Sequence, residues 1–174
     1  MGLQASVHPV PLLIALLLLV AAWRDIATRT IPNAVCLIIA ISGLFDRALD
    51  GPRFAAISLC AGGILFLILM LAHFRGVIGG GDVKLIAAIA CGLKLTALYP
   101  FVAVTALAGG VLAVCHLLLR AWLSHARPEK PPARGALVLA RVLAAERWRI
   151  SRRGSLPYGV AIVCGGLAAL TVQA

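Results

Sequence analysis

Two aspartates stand where an otherwise apolar chain has least reason to keep an acid. Asp82 follows three glycines in Gly79-Gly80-Gly81-Asp82-Val83-Lys84-Leu85, and Asp25 follows a leucine-rich run that begins at Val10. An ionised carboxylate in a hydrocarbon layer costs about 3 kcal/mol even on lenient insertion scales, so such an acid is kept beside a cavity, a partner or a task. Two carboxylates in one wet pocket repel, hold a proton between them and titrate as a unit. The pair then supplies both halves of a hydrolysis: the ionised member draws a proton from water while the protonated member polarises a peptide carbonyl. No nucleophilic side chain is required. The serines, histidines and cysteines form no triad by spacing, although spacing does not reveal a triad assembled only in space.

The neighbours of Asp82 suit this chemistry. Gly79, Gly80 and Gly81 lack Cβ, which lets a substrate backbone approach and lets the turn take positive φ. Lys84 either moderates the charge at Asp82 or, more simply, snorkels its ammonium to the membrane interface. Plainer readings stand beside the catalytic one. Asp82 at the start of a helix from Val83 is an N-cap, and Asp25 is an interfacial acid paired with Arg24 or Arg29. Arg29 meets lipid phosphate or restrains Asp25. His73, His116 and His125 are read as interfacial or packed.

The elements that must position these residues are membrane helices. Of 174 residues 62% are hydrophobic and 13% charged, with a mean hydropathy of +1.04, which places the chain among integral membrane proteins. A net charge of +10 would suggest nucleic acid in a soluble protein. Here the basic residues gather between apolar runs, where they set orientation and touch anionic lipid headgroups, and no nucleic-acid partner is expected. Cys36, Cys60, Cys91, Cys115 and Cys164 sit singly in apolar stretches and read as small buried hydrophobes, with neither a metal nor a disulfide expected. Arg24 follows the first apolar run and no Lys or Arg precedes it. That is the reverse of a signal peptide, so the run is expected to stay as a span.

The fold expected is all-α, a polytopic bundle of six transmembrane helices forming one domain over residues 1–174. The spans fall at residues 10–23, 32–45, 54–74, a short fourth beginning at 83, 95–119 and 156–172. Pro32 suits the first turn of the second helix, residues 46–53 read as a short exposed turn, and Tyr99-Pro100 marks a candidate break in the fifth. Gly109-Gly110 allows close helix contact. Twelve residues from Asp82 rise only about 18 Å against a hydrocarbon core of about 30 Å. Either the fourth helix continues past Lys94, or Asp82 lies below the membrane surface beside a protein-walled, wet cavity. Residues 120–156 form a basic cytoplasmic loop, read as an interfacial helix with Trp148 near the headgroups and assigned to lipid anchoring.

With the N-terminus outside, the inner connections and helix edges hold Arg24, Arg29, Arg75, Lys84 and the nine basic residues from Arg120 to Arg153, thirteen of the sixteen in the chain. Asp25 and Asp82 then share the cytoplasmic side although 57 positions separate them, while Asp46 and Asp50 fall opposite.

Three stretches now carry a resemblance. Asp25-x-x-x-Arg29-x-Ile31-Pro32-Asn33, Gly79-x-Gly81-Asp82-Val83-Lys84-Leu85 and Pro157-Tyr158-Gly159-Val160-Ala161-Ile162 resemble, in that order, the signature of type IV prepilin peptidases, the GxGD membrane aspartic peptidases. The short chain is similar to the minimal form serving Flp/Tad-type pili. The resemblance implies a bacterial inner-membrane enzyme that removes the short basic leader of a prepilin on the cytoplasmic face, just before the pilin's hydrophobic helix. It carries the catalytic role to Asp25 and Asp82, makes Arg29, Pro32, Asn33, Pro157, Tyr158 and Gly159 supporting residues, and calls for no cofactor. Larger members carry an N-terminal cytoplasmic domain, often with two C-x-x-C pairs, and many also N-methylate the new pilin terminus. Only nine residues precede the first span here, so peptidase activity without methyl transfer is expected. Two other classes stand open: a small proton-coupled transporter, against which the few ionisable groups in the outer halves of the helices count, and a non-catalytic assembly subunit in which Asp82 only caps a helix.

Overall fold

Backbone in a medium without water must satisfy its hydrogen bonds internally, which leaves an apolar chain the helix. The computed structural model describes residues 9–123 and 156–173, with residues 138, 139, 142 and 144 between them. Its ordered elements are α1 (Pro9–Thr28), α2 (Asn33–Asp50), α3 (Pro52–Phe74), α4 (Gly80–Ala90), α5 (Leu95–Leu123) and α6 (Tyr158–Gln173), and no strand occurs among the described residues. α1, α3 and α5 are long and apolar enough to cross a membrane. Their large side chains, among them Leu67, Leu71, Leu107 and Leu118, point outward, as a lipid-facing surface requires. The protein is an all-α membrane protein. The remaining helices are shorter or carry more charge, and α4, with 11 residues, rises only about 16 Å.

Three boundaries differ from the sequence-based expectation, each for a local reason. α1 runs past Trp23 to Thr28, so Asp25 lies in its last turns rather than in a link beyond it. What stops α1 is Arg29, which takes the left-handed conformation at φ 56 with its N–H on the Asp25 carbonyl at 2.9 Å, an αL end rarely given to a residue with a side chain. Pro32 then serves as the extended N-cap of α2, just ahead of its first turn. α2 continues through Asp46, Arg47 and Asp50 instead of yielding to an exposed turn, and Gly51 at φ 137 makes the whole connection. Arg47 and Asp50 stay in a helix because they find partners there. Arg47 is only 6% exposed, pairs with Asp50, reaches Ser58 Oγ at 3.4 Å and stacks over Phe54 with 5.5 Å to the ring centroid. Ser58 in turn donates to the Leu93 carbonyl at 2.8 Å.

α4 does not continue past Lys94. It ends at Ala90, and Lys94 is held by α6 through its backbone N–H to Gln173 Oε1 and its ammonium to the Gln173 carbonyl. α5 passes through Pro100 without a break. Among the cysteines only Cys36 is fully buried; Cys60, Cys115 and Cys164 face outward, as small apolar groups can in lipid. The interfacial helix expected around Trp148 lies outside the described residues.

The core joins five helices through Leu18 of α1, Ile39 of α2, Leu85 and Ile89 of α4, Phe101 of α5 and Ile162 of α6. α5 packs on α6, and α3 packs on α2 and α4. The turn after α4 touches α2 backbone to backbone, since a Cβ on Gly43 would stand 2.7 Å from Gly92 Cα. The α4 helix is therefore fixed at its C-terminal end by α2, α3 and α6 together, which leaves its glycine-rich N-terminal end to face the ends of α1, α2 and α6.

Candidate active site

Asp25 reaches the interior from the last turns of α1 and is 6% exposed. Across the fold, the first turn of α6 meets it: the Gly159 N–H donates to Asp25 Oδ2 at 2.8 Å. A helix N-terminus offers free N–H donors and a partial positive charge, both suited to a carboxylate. Only glycine fits this position, since a Cβ on residue 159 would fall 2.7 Å from Asp25 Oδ2 and 2.9 Å from Asp25 Cβ.

Asp82 arrives from the other direction. α3 closes with Gly76 at φ 72, the Gly76 N–H on the His73 carbonyl and the Val77 N–H on the Ala72 carbonyl, the two-bond pattern of a Schellman end. The chain then extends through Gly79 (φ −67, ψ 139), and α4 begins at Gly80. Asp82 is therefore the third residue of α4 and not its N-cap; that position belongs to Gly79, and no side chain caps the helix. The expectation of a cap fails because Gly80 and Gly81 enter the helix themselves. Asp82 leans back over the turn, its Oδ2 2.9 Å from where a Cβ on Gly79 would sit.

Both acids open to one pocket of about 500 Å³, lined also by Arg29, Asn33, Gly79, Gly80, Gly81, Lys84 and Tyr158. Asp82 lies in the first turn of α4, ahead of the fourth span expected from residue 83, and its pKa is pushed up to about 6, first by burial and then by the charge of Asp25, with Arg29 pulling the other way. The two acids thus feel each other, and one guanidinium shares their field. Lys84 is exposed, yet its ammonium does not simply snorkel; it donates to Asn33 Oδ1 at 3.1 Å and bridges α4 to the start of α2.

Of the residues singled out from the sequence, the fold gathers Asp25, Arg29, Asn33, the three glycines, Asp82, Lys84 and Tyr158 around this pocket. Gly159 stands behind Asp25. Pro32 and Pro157 end the approach to α2 and α6 without lining the pocket. Asp50 is engaged with Arg47 elsewhere. Thr30, Val77 and Leu156 also line the pocket, and no feature of their type or spacing distinguishes them. His73, read as interfacial or packed, lies against the glycine turn itself: its Nδ1 is 2.8 Å from the Ile78 carbonyl.

Compared with known proteins, the chain matches the family model described as the type IV leader peptidase family over residues 12–114. The matched stretch includes both aspartates and the glycines, and ends before Pro157-Tyr158-Gly159. No curated protein and no solved structure matches the chain.

Proposed function

The chain belongs to the type IV leader peptidase family, whose substrates are prepilins, and from that premise we propose that it is an aspartic endopeptidase in which Asp25 and Asp82 jointly activate water. The observation that carries the proposal is the meeting of two acids, 57 positions apart in sequence, at one pocket beside a turn of glycines. Asp82, with its raised pKa, is suited to hold the proton the pair shares. Asp25 accepts a proton from water as the water oxygen attacks the scissile carbonyl carbon, and Asp82 gives its proton to the carbonyl oxygen. Collapse of the tetrahedral intermediate breaks the C–N bond, the leaving amine takes the proton held by Asp25, and Asp82 recovers its own from the intermediate's hydroxyl. Arg29 limits the negative charge of the pocket, and the missing Cβ atoms of Gly79 to Gly81 leave room for an extended backbone.

The substrate proposed is a Flp/Tad-like prepilin, cut between its basic leader and its hydrophobic helix. The setting proposed is the bacterial inner membrane, with six spans, the N-terminus outside and the pocket at the cytosol. The basic residues at the inner connections support that orientation. The basic loop over residues 120–156 is assigned to anionic lipid and not to the leader, which is itself basic. The chemistry proposed is peptide hydrolysis alone, without a cofactor.

The test uses the purified chain and a leader-bearing prepilin peptide, with products weighed by mass spectrometry. A single cut at the leader junction is expected, lost in Asp25→Asn and in Asp82→Asn while both variants stay folded in detergent, and nearly unchanged in Asp46→Asn. A non-catalytic subunit would show no cut at all, and an enzyme of another mechanism would tolerate the Asn substitutions.

A further inference from the structure

The segment that delivers Asp82 is rich in glycine. Gly76, Gly79, Gly80 and Gly81 lie within six residues, and glycine gives up more backbone freedom on ordering than any other residue. One side chain takes hold of that segment. His73, in the last turn of α3, places Nδ1 2.8 Å from the Ile78 carbonyl. A carbonyl only accepts, so Nδ1 carries the hydrogen and Nε2 is left without one in the neutral ring. The same imidazole lies against the first residue of α4, where a Cβ on Gly80 would stand 3.2 Å from Cε1 and 3.3 Å from Nε2. His73 thus grips the turn just before its extended residue and just after it, two positions ahead of Asp82. Among the described residues, no other side chain hydrogen-bonds the backbone from 76 to 81.

We propose that His73 is a positioning residue of the peptidase reaction, fixing through its bond to Ile78 and its contact with Gly80 the place at which Asp82 meets the substrate. The inference rests on the Asp25 and Asp82 reading given above. His73 need not touch substrate, and its hydrogen bond survives protonation of the ring, because the imidazolium still carries a hydrogen on Nδ1. Its contribution is geometric: a displacement of about 1 Å at a reacting group can cost about 100-fold in rate.

The experiment is leader-peptide cleavage by the full-length protein in lipid, with kcat, KM and the thermal midpoint recorded for His73→Ala, His73→Asn and His73→Gln. The Asn amide nitrogen falls close to the place of Nδ1, whereas that of Gln lies one bond further out. His73→Ala is expected to lower kcat about 10- to 100-fold with KM changed by less than about threefold, and His73→Asn to recover most of the loss although its thermal midpoint matches that of His73→Ala. Wild-type kcat in His73→Ala, or equal impairment in the Ala and Asn variants, overturns the inference. Should His73→Ala not fold, the Asn and Gln variants decide: faster turnover in Asn supports positioning, and equal turnover overturns it. Asp82→Asn is measured alongside. Cleavage by Asp82→Asn would remove both this inference and the reading on which it rests, whereas an inactive Asp82→Asn beside an unimpaired His73→Ala removes the His73 role alone.

Discussion

At the scale of single residues, the site turns on how differently the two aspartates are held. Asp25 is enclosed and receives a backbone N–H from the start of α6, while Asp82 stands on a glycine-rich turn with its pKa raised to about 6. If Asp82 carries the shared proton, cleavage needs it protonated. The sign follows directly: a group with a pKa of about 6 loses its proton as pH rises, so kcat/KM should fall about tenfold per unit above about pH 7, measured with a leader peptide that has no titrating group near the cut. Because the Asp25 charge is one cause of the raised value, Asp25→Asn should move the titration of Asp82 below about 6, read from its carboxyl stretch by infrared spectroscopy. Gly159 offers a steric test. A methyl group at this position collides with the Asp25 carboxyl, so Gly159→Ala should lower kcat about 100-fold and cost about 1–3 kcal/mol of stability by overpacking, checked by cleavage assay and thermal unfolding.

At the scale of elements, α4 is a short rod clamped at its C-terminal end, with Asp82 in its first turn at the other. Its C-terminal end is tied to α3 by Ser58, which accepts from Arg47 and donates to the Leu93 carbonyl, and to α6 by Lys94 and Gln173. Ser58→Ala strips the Leu93 carbonyl of that donor and should cost about 1–3 kcal/mol. Unfolding in detergent is expected to occur at lower temperature, with kcat nearly unchanged below that transition. The same elements show which parts of the fold were legible in the sequence. The two acids stood out because apolar helices rarely keep a charge, and their turn stood out through its glycines. The charged stretch from Asp46 to Arg53 reads as a turn by composition, which does not show that Arg47 has Asp50, Ser58 and Phe54 within reach. The bond between Gly159 and Asp25 spans 134 positions, a separation at which no local pattern operates. The grip of His73 on Ile78 spans only five, but it depends on the left-handed turn at Gly76, and a lone histidine at a helix end gives no sign of one.

At the scale of the whole molecule, the pocket belongs to the end of the bundle where basic residues collect. Arg24, Arg29, Arg75 and Lys84 lie at the inner ends of α1, α3 and α4 in the orientation proposed. In a cysteine-free background, a thiol reagent that cannot cross membranes should therefore label Arg53→Cys and not Arg75→Cys in intact cells; the reverse pattern would place the pocket outside. Arrangement and orientation matter only if the two acids act as one device, and a double-mutant cycle on leader cleavage measures that most directly. If Asp25 and Asp82 share one proton and one water, Asp25→Asn, Asp82→Asn and the double variant should all fall to the same residual rate. A single variant that keeps most of its activity, or losses that multiply in the double variant, would contradict the paired mechanism.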